Sequence, residues 1–558
     1  MSVKKEEIAI VGGSNVGIAA ATRLRRIRED VNITIFDKSE HIGYPASGIP
    51  YFLSNTLKSA DTFTKGFEER LTEIYNINIV KECEVQSINR DTKTITVFNL
   101  RNKQVYEKAY DKLVLATGFY FSLSDKELLD SPNFFIIKNI EQAIRAKDYI
   151  RNRGVKKISI VGVNTISINI AVSMIEAGYE VALITKEKNL IENFDNEFDY
   201  ILKNELTKAG IRVYCGIESI VYKKNTENIV TNIEINYLDI ETQLVIYCDD
   251  PTPSSYLAAN SGLNVGKKRA VLVDSLFQTS DPDIYSGGGV AEFLNAPFEF
   301  GGRIPGINRA MNHGRDIGSN IGGVKTAEQI FVDNVFFKIK NFNIGMVGIS
   351  EAEAKANSLE TYSITVFSGD RERFVPEASQ IHIKIIVDKN SQAILGAFIR
   401  GKSNEVSRKL DVLITSIHSG LTVSELSALN FTYHPSNSTI KDTLNIAGMI
   451  ACDYSDGLTN LASLENSESE EDIFILDVRN KKERDKSMVL NSKWIPLAEL
   501  RSRLSELPKD KNIYIYGNVG LRGYVAERIL KNNDFKNTFN ISGGIASIKI
   551  NENIDNNY

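Results

Sequence analysis

The residues able to do redox, acid–base or metal chemistry are few and scattered. Cys83, Cys215, Cys248 and Cys452 lie far apart, so no pair has the short spacing of a disulfide framework or a zinc knuckle. His41, His313, His382, His418 and His434 show no metal-ligand spacing, and each reads first as a packing or surface residue. The chemistry that does have a pattern is ligand binding. Gly12-Gly13-Ser14-Asn15-Val16-Gly17 supplies glycine where a strand turns tightly into a helix, so that a pyrophosphate can reach the helix N-terminus and its unpaired N–H groups. Asp37 follows about 20 residues on, where an acid can hold ribose hydroxyls. Ala116-Thr117-Gly118 closes the apolar run Leu113-Val114-Leu115 with a small-residue turn that lets backbone pass close to a cofactor. The bland reading is a tight turn and nothing more; glycines, acid and context together favour a dinucleotide site.

These residues need a frame. Ile8 to Val11 reads as a buried strand, a helix runs from Ile18 to about Arg28, and Val31 to Phe36 is a second strand. That is a β–turn–α–β unit of a doubly wound parallel sheet. The pattern returns at Ile158–Gly162, a helix from about Ser167 to Ala177, and a strand at Val181–Thr185. Residues 330–450 change character, with strands at Ile381–Val387 and Ala393–Phe398 and a helix near 405–419. The Ser-, Asn- and acid-rich stretch 453–470 reads as a linker, followed by an α/β segment that begins near Ile473. With 558 residues, several domains are expected. Sixty-six Lys and Arg against 71 Asp and Glu give a net charge of −5, which argues against a nucleic-acid surface. Hydrophobic residues at 42% and charged at 25% exclude disordered, collagenous and coiled-coil classes. No apolar run is long enough to span a membrane and the N-terminus lacks a signal-peptide core, so a cytoplasmic protein is expected.

The order of these stretches resembles the pyridine nucleotide-disulfide oxidoreductase family, and within it the coenzyme A-disulfide and persulfide reductases with a C-terminal rhodanese domain. The matching stretches are Gly12–Gly17, Ile42–Tyr51, Asp111–Gly118, Thr279–Tyr285, Tyr433–Asp442 and Gly520-Leu521-Arg522-Gly523-Tyr524. The resemblance implies an α/β fold: two Rossmann-like FAD/NAD(P)-type domains, an α+β dimerisation domain and a rhodanese-like α/β domain. The implied boundaries are 1–145 with 254–325 for FAD, 146–253 for the NAD(P)-like domain, 326–452 for dimerisation, 453–470 for the linker and 471–558 for the rhodanese-like domain. It also implies a homodimer, and a reaction that moves hydride from nicotinamide to flavin and electrons onward to a cysteine. As FAD contacts it implies Gly12, Gly13, Asn15, Gly17, Asp37, Lys38, Val85, Ala116, Thr117, Gly118, Gly289 and Ala291. Arg23 and Arg26 become candidates for coenzyme A phosphates, and Tyr433 a weak acid–base candidate beside the disulfide site.

Where the family carries its chemistry, this chain departs. Ser47, in Pro45–Tyr51, occupies the redox-cysteine position, and a hydroxyl forms neither a mixed disulfide nor a persulfide. The second glycine turn reads Gly162-Val163-Asn164-Thr165-Ile166-Ser167, with Cβ atoms crowding the pyrophosphate path. Thr185 stands for the ribose acid, Asn169 for a family glutamate, and Asp249-Asp250 would repel a phosphate. Gly289 replaces an aspartate that holds the flavin side chain, a loss of about 0.5–1.5 kcal/mol. Gly517 replaces the rhodanese cysteine in Gly517–Arg522, leaving only the cradle of N–H groups. The expectation is a flavoprotein that binds FAD, does not bind NAD(P)H tightly, has coenzyme A as a candidate ligand, and does redox chemistry without a thiol. The alternative is an inactive pseudoenzyme that binds FAD or coenzyme A as a sensor, scaffold or partner. A reductase rewired onto another cysteine is disfavoured by Ser47 and Gly517.

Overall fold

A computed structural model describes residues 5–191, 194–293, 306–327, 332–463 and 473–555. The chain forms two units, Met1–Glu192 with Leu206–Phe331, and Asn193–Glu205 with Val332–Tyr558.

The first unit is built on two five-stranded parallel sheets. In one the strands run Ile284–Ser286, Lys112–Leu115, Glu6–Val11, Val31–Phe36 and Asn78–Val80. Chain order reverses between Glu6–Val11 and Lys112–Leu115, which opens a crevice at the carboxyl ends of those two strands. The strands are largely apolar because both faces are mostly covered, Thr34 being a buried polar exception in Val31–Phe36. Helix α1, Asn15–Ile27, buries Val16, Ala20, Ala21 and Leu24. The Ile307–Ile321 helix packs onto it at close range: a Cβ on Gly314 would stand 2.3 Å from the Val16 carbonyl oxygen, and one on Gly318 2.5 Å from that of Ala20.

The second sheet runs Arg212–Tyr214, Glu180–Ile184, Lys157–Val161, Leu244–Tyr247 and Phe134–Ile136, with helix α2, Thr165–Glu176, after its central strand. Phe134–Ile136 pairs with Leu244–Tyr247. This long-range pairing joins residues on either side of the boundary expected at 145/146.

The second unit holds a five-stranded antiparallel sheet, ordered Asn334–Ile339, Phe342–Gly348, Ile394–Gly401, Gln380–Asp388 and Thr361–Gly369. Ile381, Ile383, Ile385, Val387 and Ile399 point from it into a core shared with Leu410, Leu413 and Leu444. Helix α3, Asn196–Ala209, begins in this unit, with the Phe198 ring edge-on to Phe398 at 5.2 Å. Lys384, its side chain 12% exposed, sits here among carboxylates: Glu351 Oε2 at 2.6 Å, Glu197 Oε2 at 3.4 Å and Asp195 Oδ2 at 3.9 Å. The Asp195 carboxylate accepts the Ala352 and Glu351 N–H groups at 3.1 and 3.3 Å, capping helix α4, Glu351–Ala356. Burial alone would lower the Lys384 pKa, but Glu197, Glu351 and Asp195 outweigh it and the pKa rises.

The last sheet is parallel, ordered Leu461–Ala462, Thr538–Ile541, Asn512–Tyr516, Ile473–Asp477 and Lys493–Trp494. The stretch 453–470, expected as a linker, is helix as far as Ser455 and strand at Leu461–Ala462. Buried Glu527 accepts the Asn460 N–H at 2.7 Å and the Thr459 hydroxyl. Polar residues that suggest a solvated tether are thus spent on internal hydrogen bonds; residues 464–470 lie outside the described residues. Among the described residues no helix is long and apolar enough to cross a membrane.

Candidate functional site

The crevice of the first sheet is shaped by glycine. Gly12 has φ 112°, and a Cβ there would lie 2.3 Å from the Ala116 carbonyl oxygen. A Cβ on Gly17 would lie 1.9 Å from the Gly12 oxygen. Only glycine allows the strand, the turn and the Ala116-Thr117-Gly118 segment to meet. Asp37, at the end of the second strand, accepts the Gly13 N–H at 2.6 Å and the Ser39 N–H at 2.8 Å, which aims its carboxylate at the turn. Ser14 is the N-cap of α1, yet its side chain makes no capping bond. Among the described residues the Asn15, Val16 and Gly17 N–H groups meet no side-chain acceptor, so the positive end of α1 is open. Thr117 anchors the opposite wall by donating to the Ser254 carbonyl at 2.8 Å.

The structure adds a residue that sequence reasoning missed. The Lys138 ammonium lies 4.8 Å over the Phe119 ring centroid and 3.7 Å from where a Gly118 Cβ would be. Burial, with Lys38 nearby, pushes its pKa down to about 8, while Asp37 opposes the shift. It has no carboxylate or carbonyl partner among the described residues. A mostly buried cation with no hydrogen-bonded anion is costly, and a bound phosphate would neutralise it. No local pattern flags Lys138; it lies in the loop between Phe134–Ile136 and the Ile140–Arg153 helix, 101 residues beyond Asp37.

The other expected contacts are placed unevenly. Lys38 is exposed and Ala291 is half-buried. Val85 is buried with Cys83, Val97 and Leu115. A Cβ on Gly289 would stand 3.2 Å from Phe119 Cδ1, so the Phe119 ring borders the space that a side chain at 289 would enter. Arg23 Nε donates to Ser319 Oγ at 2.9 Å; Arg26 is exposed, with Nε on the Thr22 carbonyl at 3.0 Å. Ser47 is exposed on the Ala46–Gly48 turn that leads into the Ile49–Leu53 helix. Cys83 and Cys248 are buried, and burial raises both thiol pKa values. Tyr433 belongs to the second unit, 48% exposed, its hydroxyl 3.5 Å from Glu372. Among the described residues no group of three or more His, Cys, Asp or Glu could hold a metal.

The second glycine turn has the same backbone and a different surface. Gly162, at φ 92°, fits under Asp249, whose N would be 2.4 Å from a Cβ. Asn164 then caps α2: its Oδ1 accepts the Ile166 and Ser167 N–H groups at 2.9 and 3.1 Å. Ser167 Oγ returns the contact by accepting the Asn164 N–H at 2.8 Å. Asn164 Nδ2 donates to the Cys248 carbonyl at 2.7 Å. Thr185, at the ribose-acid position, is buried, and burial raises the Asp249 carboxyl pKa.

In the last domain the loop Gly517–Gly520 precedes helix α5, Leu521–Lys531. The Gly517 carbonyl accepts the Ile545 N–H at 3.0 Å, and a Cβ at 517 would be 3.0 Å from Arg522 Cβ. The Arg522 guanidinium is taken up by both oxygens of Glu483, at 2.6 and 2.7 Å.

Three family models match in this order: pyridine nucleotide-disulphide oxidoreductase over residues 6–314, its dimerisation domain over 335–444, and a rhodanese-like domain over 460–551. An NADH oxidase of Methanocaldococcus jannaschii is 26% identical over 443 residues, 78% of this chain and 97% of that protein. A coenzyme A disulfide reductase of Staphylococcus haemolyticus is 25% identical over 448 residues, 80% of this chain and 99% of that protein. Among solved structures, reduced CoADR-RHD of Bacillus anthracis superposes with TM-score 0.90 at 28% identity, covering 97% of each chain. An NAD-dependent persulfide reductase from A. fulgidus superposes with TM-score 0.86 at 28% identity, covering 97% of this chain and 99% of that one. With the first family model spanning more than half of its length, the chain belongs to the pyridine nucleotide-disulphide oxidoreductase family, and carries that family's dimerisation domain and a C-terminal rhodanese-like domain.

Proposed function

We propose that the chain is an FAD-binding oxidoreductase, acting as a homodimer, whose redox chemistry does without a cysteine relay. The observation that carries this reading is the open α1 turn with Asp37 and, beside Gly118, a Lys138 that makes no hydrogen bond to an anion among the described residues, in a chain whose Ser47 cannot take a thiol's part. The α1 N–H groups and Lys138 would take the pyrophosphate charge and Asp37 a ribose. Gly118 and Phe119 would line the flavin half. When bound, FAD would supply two-electron redox chemistry; the protein's part is to bind and orient it. Coenzyme A, named in the relatives, remains a candidate ligand, with exposed Arg26 the better-placed of the two arginines for a phosphate.

The second reading is a pseudoenzyme that binds FAD or coenzyme A as a sensor or scaffold. Gly517 and the Arg522–Glu483 pair favour it, because the rhodanese-like loop has neither nucleophile nor free guanidinium. One experiment separates the two. Protein purified without harsh treatment carries FAD, identified by its visible absorbance and by mass after denaturation. Chemically reduced protein is then re-oxidised by dioxygen or a quinone with multiple turnovers. FAD that is bound but never turned over selects the pseudoenzyme; protein with neither colour nor affinity for added FAD overturns the oxidoreductase reading, and protein that also fails to bind coenzyme A overturns both. Ser47→Cys alone is expected to leave NADH-dependent reduction of coenzyme A disulfide at background, because a thiol does not repair the nicotinamide side. Steady NADH oxidation by that variant with coenzyme A disulfide would refute this.

A further inference from the structure

We infer that the second nucleotide-like domain is closed to dinucleotides because its phosphate seat is already filled by its own side chains. The chain contains its own control. Both turns begin with a glycine at positive φ, Gly12 at 112° and Gly162 at 92°, and both lead from the central strand of a parallel sheet into a helix. At α1 the N-cap side chain makes no bond. At α2 the capping box of Asn164 and Ser167 is complete.

A dinucleotide pyrophosphate binds such a turn by accepting the first N–H groups of the helix. At α2 the Asn164, Ile166 and Ser167 N–H groups already have acceptors within the chain. A phosphate would have to displace the Asn164 amide, and that amide is also tied to the Cys248 carbonyl. The displaced amide would have to leave a half-buried position, and the Cys248 carbonyl would lose its donor. The cap is neutral and satisfied, whereas an incoming phosphate would bring charge next to Asp249 and Asp250. Thr185, at the ribose-acid position, offers no carboxylate: it is buried and its hydroxyl accepts the Glu187 N–H at 3.1 Å.

The domain is therefore held in its folded form by an internal substitute for the ligand. Any donor that reduces this protein must reach its redox centre without docking on α2. This inference concerns a different site from the FAD reading and does not rest on it.

Calorimetric titration with NADH and NADPH tests it, on full-length protein kept in excess FAD so that the α1 turn is not counted. The wild type is expected to give no binding heat at millimolar nucleotide. Asn164→Gly/Ser167→Gly, which empties the seat while leaving residues that helix starts tolerate, is expected to bind NADH at least about tenfold more tightly than the wild type. Asn164→Gly alone, the milder change should the double variant fold poorly, is expected to move in the same direction by a smaller factor. Micromolar binding by the wild type would overturn the inference. So would folded variants, checked by thermal melting, that gain no affinity, since the cap would then not be what closes the site. Flavin content, read by absorbance in the same samples, reports separately on the FAD proposal.

Discussion

Gly12→Val yields protein without bound FAD and with a melting temperature several degrees lower. The new side chain would place its first carbon 2.3 Å from the Ala116 carbonyl oxygen, a backbone atom fixed by the Ala116 N–H bond to the Val11 carbonyl at 2.9 Å. The φ of 112° is itself in a region that a β-branched residue avoids. Strain and clash together cost about 3 kcal/mol or more. To escape, the chain must separate the two strands whose carboxyl ends form the crevice, which also removes Gly13 from Asp37. Gly289→Ala is the milder change in the same crevice: its Cβ comes closest to Phe119 Cδ1, at 3.2 Å, with Gly118 C and Phe119 Cβ at 3.8 and 3.9 Å, and φ there is not positive. That variant should keep both its flavin content and its melting temperature within about 1 kcal/mol of the wild type. Absorbance of released flavin and thermal melts check both; a yellow, stable Gly12→Val protein would mean that the crevice is not the FAD site.

Lys384→Met should destabilise the second unit by about 2–3 kcal/mol, less than the cost of breaking a fully buried ion pair because the Glu351 side chain is 41% exposed. The ammonium is the shared counter-charge of Asp195, Glu197 and Glu351, and Asp195 in turn holds the first turn of α4 through two N–H groups. Met fills similar volume, so the loss is electrostatic rather than a cavity. In the wild type the raised Lys384 pKa means that its pairing is fully present below the ordinary lysine range and is lost only at more alkaline pH. Burial would raise Glu351, but Lys384 takes its pKa below the ordinary value, so that contribution is present at neutral pH and fades as pH falls. Asp195 is raised by burial even with Lys384 in place. Without the ammonium, burial governs both acids. Their raised pKa values make the variant most stable where they are protonated, and stability falls as pH rises through those values. The deficit against the wild type is thus larger at pH 8 than at pH 5, and Glu351→Gln added to Lys384→Met recovers part of it. Melting curves at both pH values decide the matter; a pH-independent deficit would point to packing instead.

The α1 site was legible in the sequence because its requirements are local. Gly12, Gly13 and Gly17 lie on one turn, and Asp37 closes the same βαβ unit, so spacing alone brings them together. The α2 cap is local too, and Asn164 followed three residues later by a hydroxyl is a helix-start signal. Measured only against a glycine pattern, those residues read as crowding; their positive role as a cap emerges from the hydrogen bonds. Residues 453–463 of the expected linker, the part that is described, take up structure for a related reason. Thr459 and Asn460 are polar, but their partner Glu527 lies 67 residues beyond Asn460, and composition cannot distinguish a residue solvated by water from one solvated by the protein.

What the sequence determined by itself was the family, the order of its domains, and the absence of a thiol at residues 47 and 517, since these depend on residue identity and short spacing. The tertiary structure decided which of two similar turns stays open. It also decided that Lys138 is stranded beside Gly118 and that Lys384 is shared by three acids from two other segments. Burial and long-range pairing set those outcomes: the energy of a charge or an N–H group depends on what surrounds it, and its surroundings here come from residues up to 189 positions away along the chain.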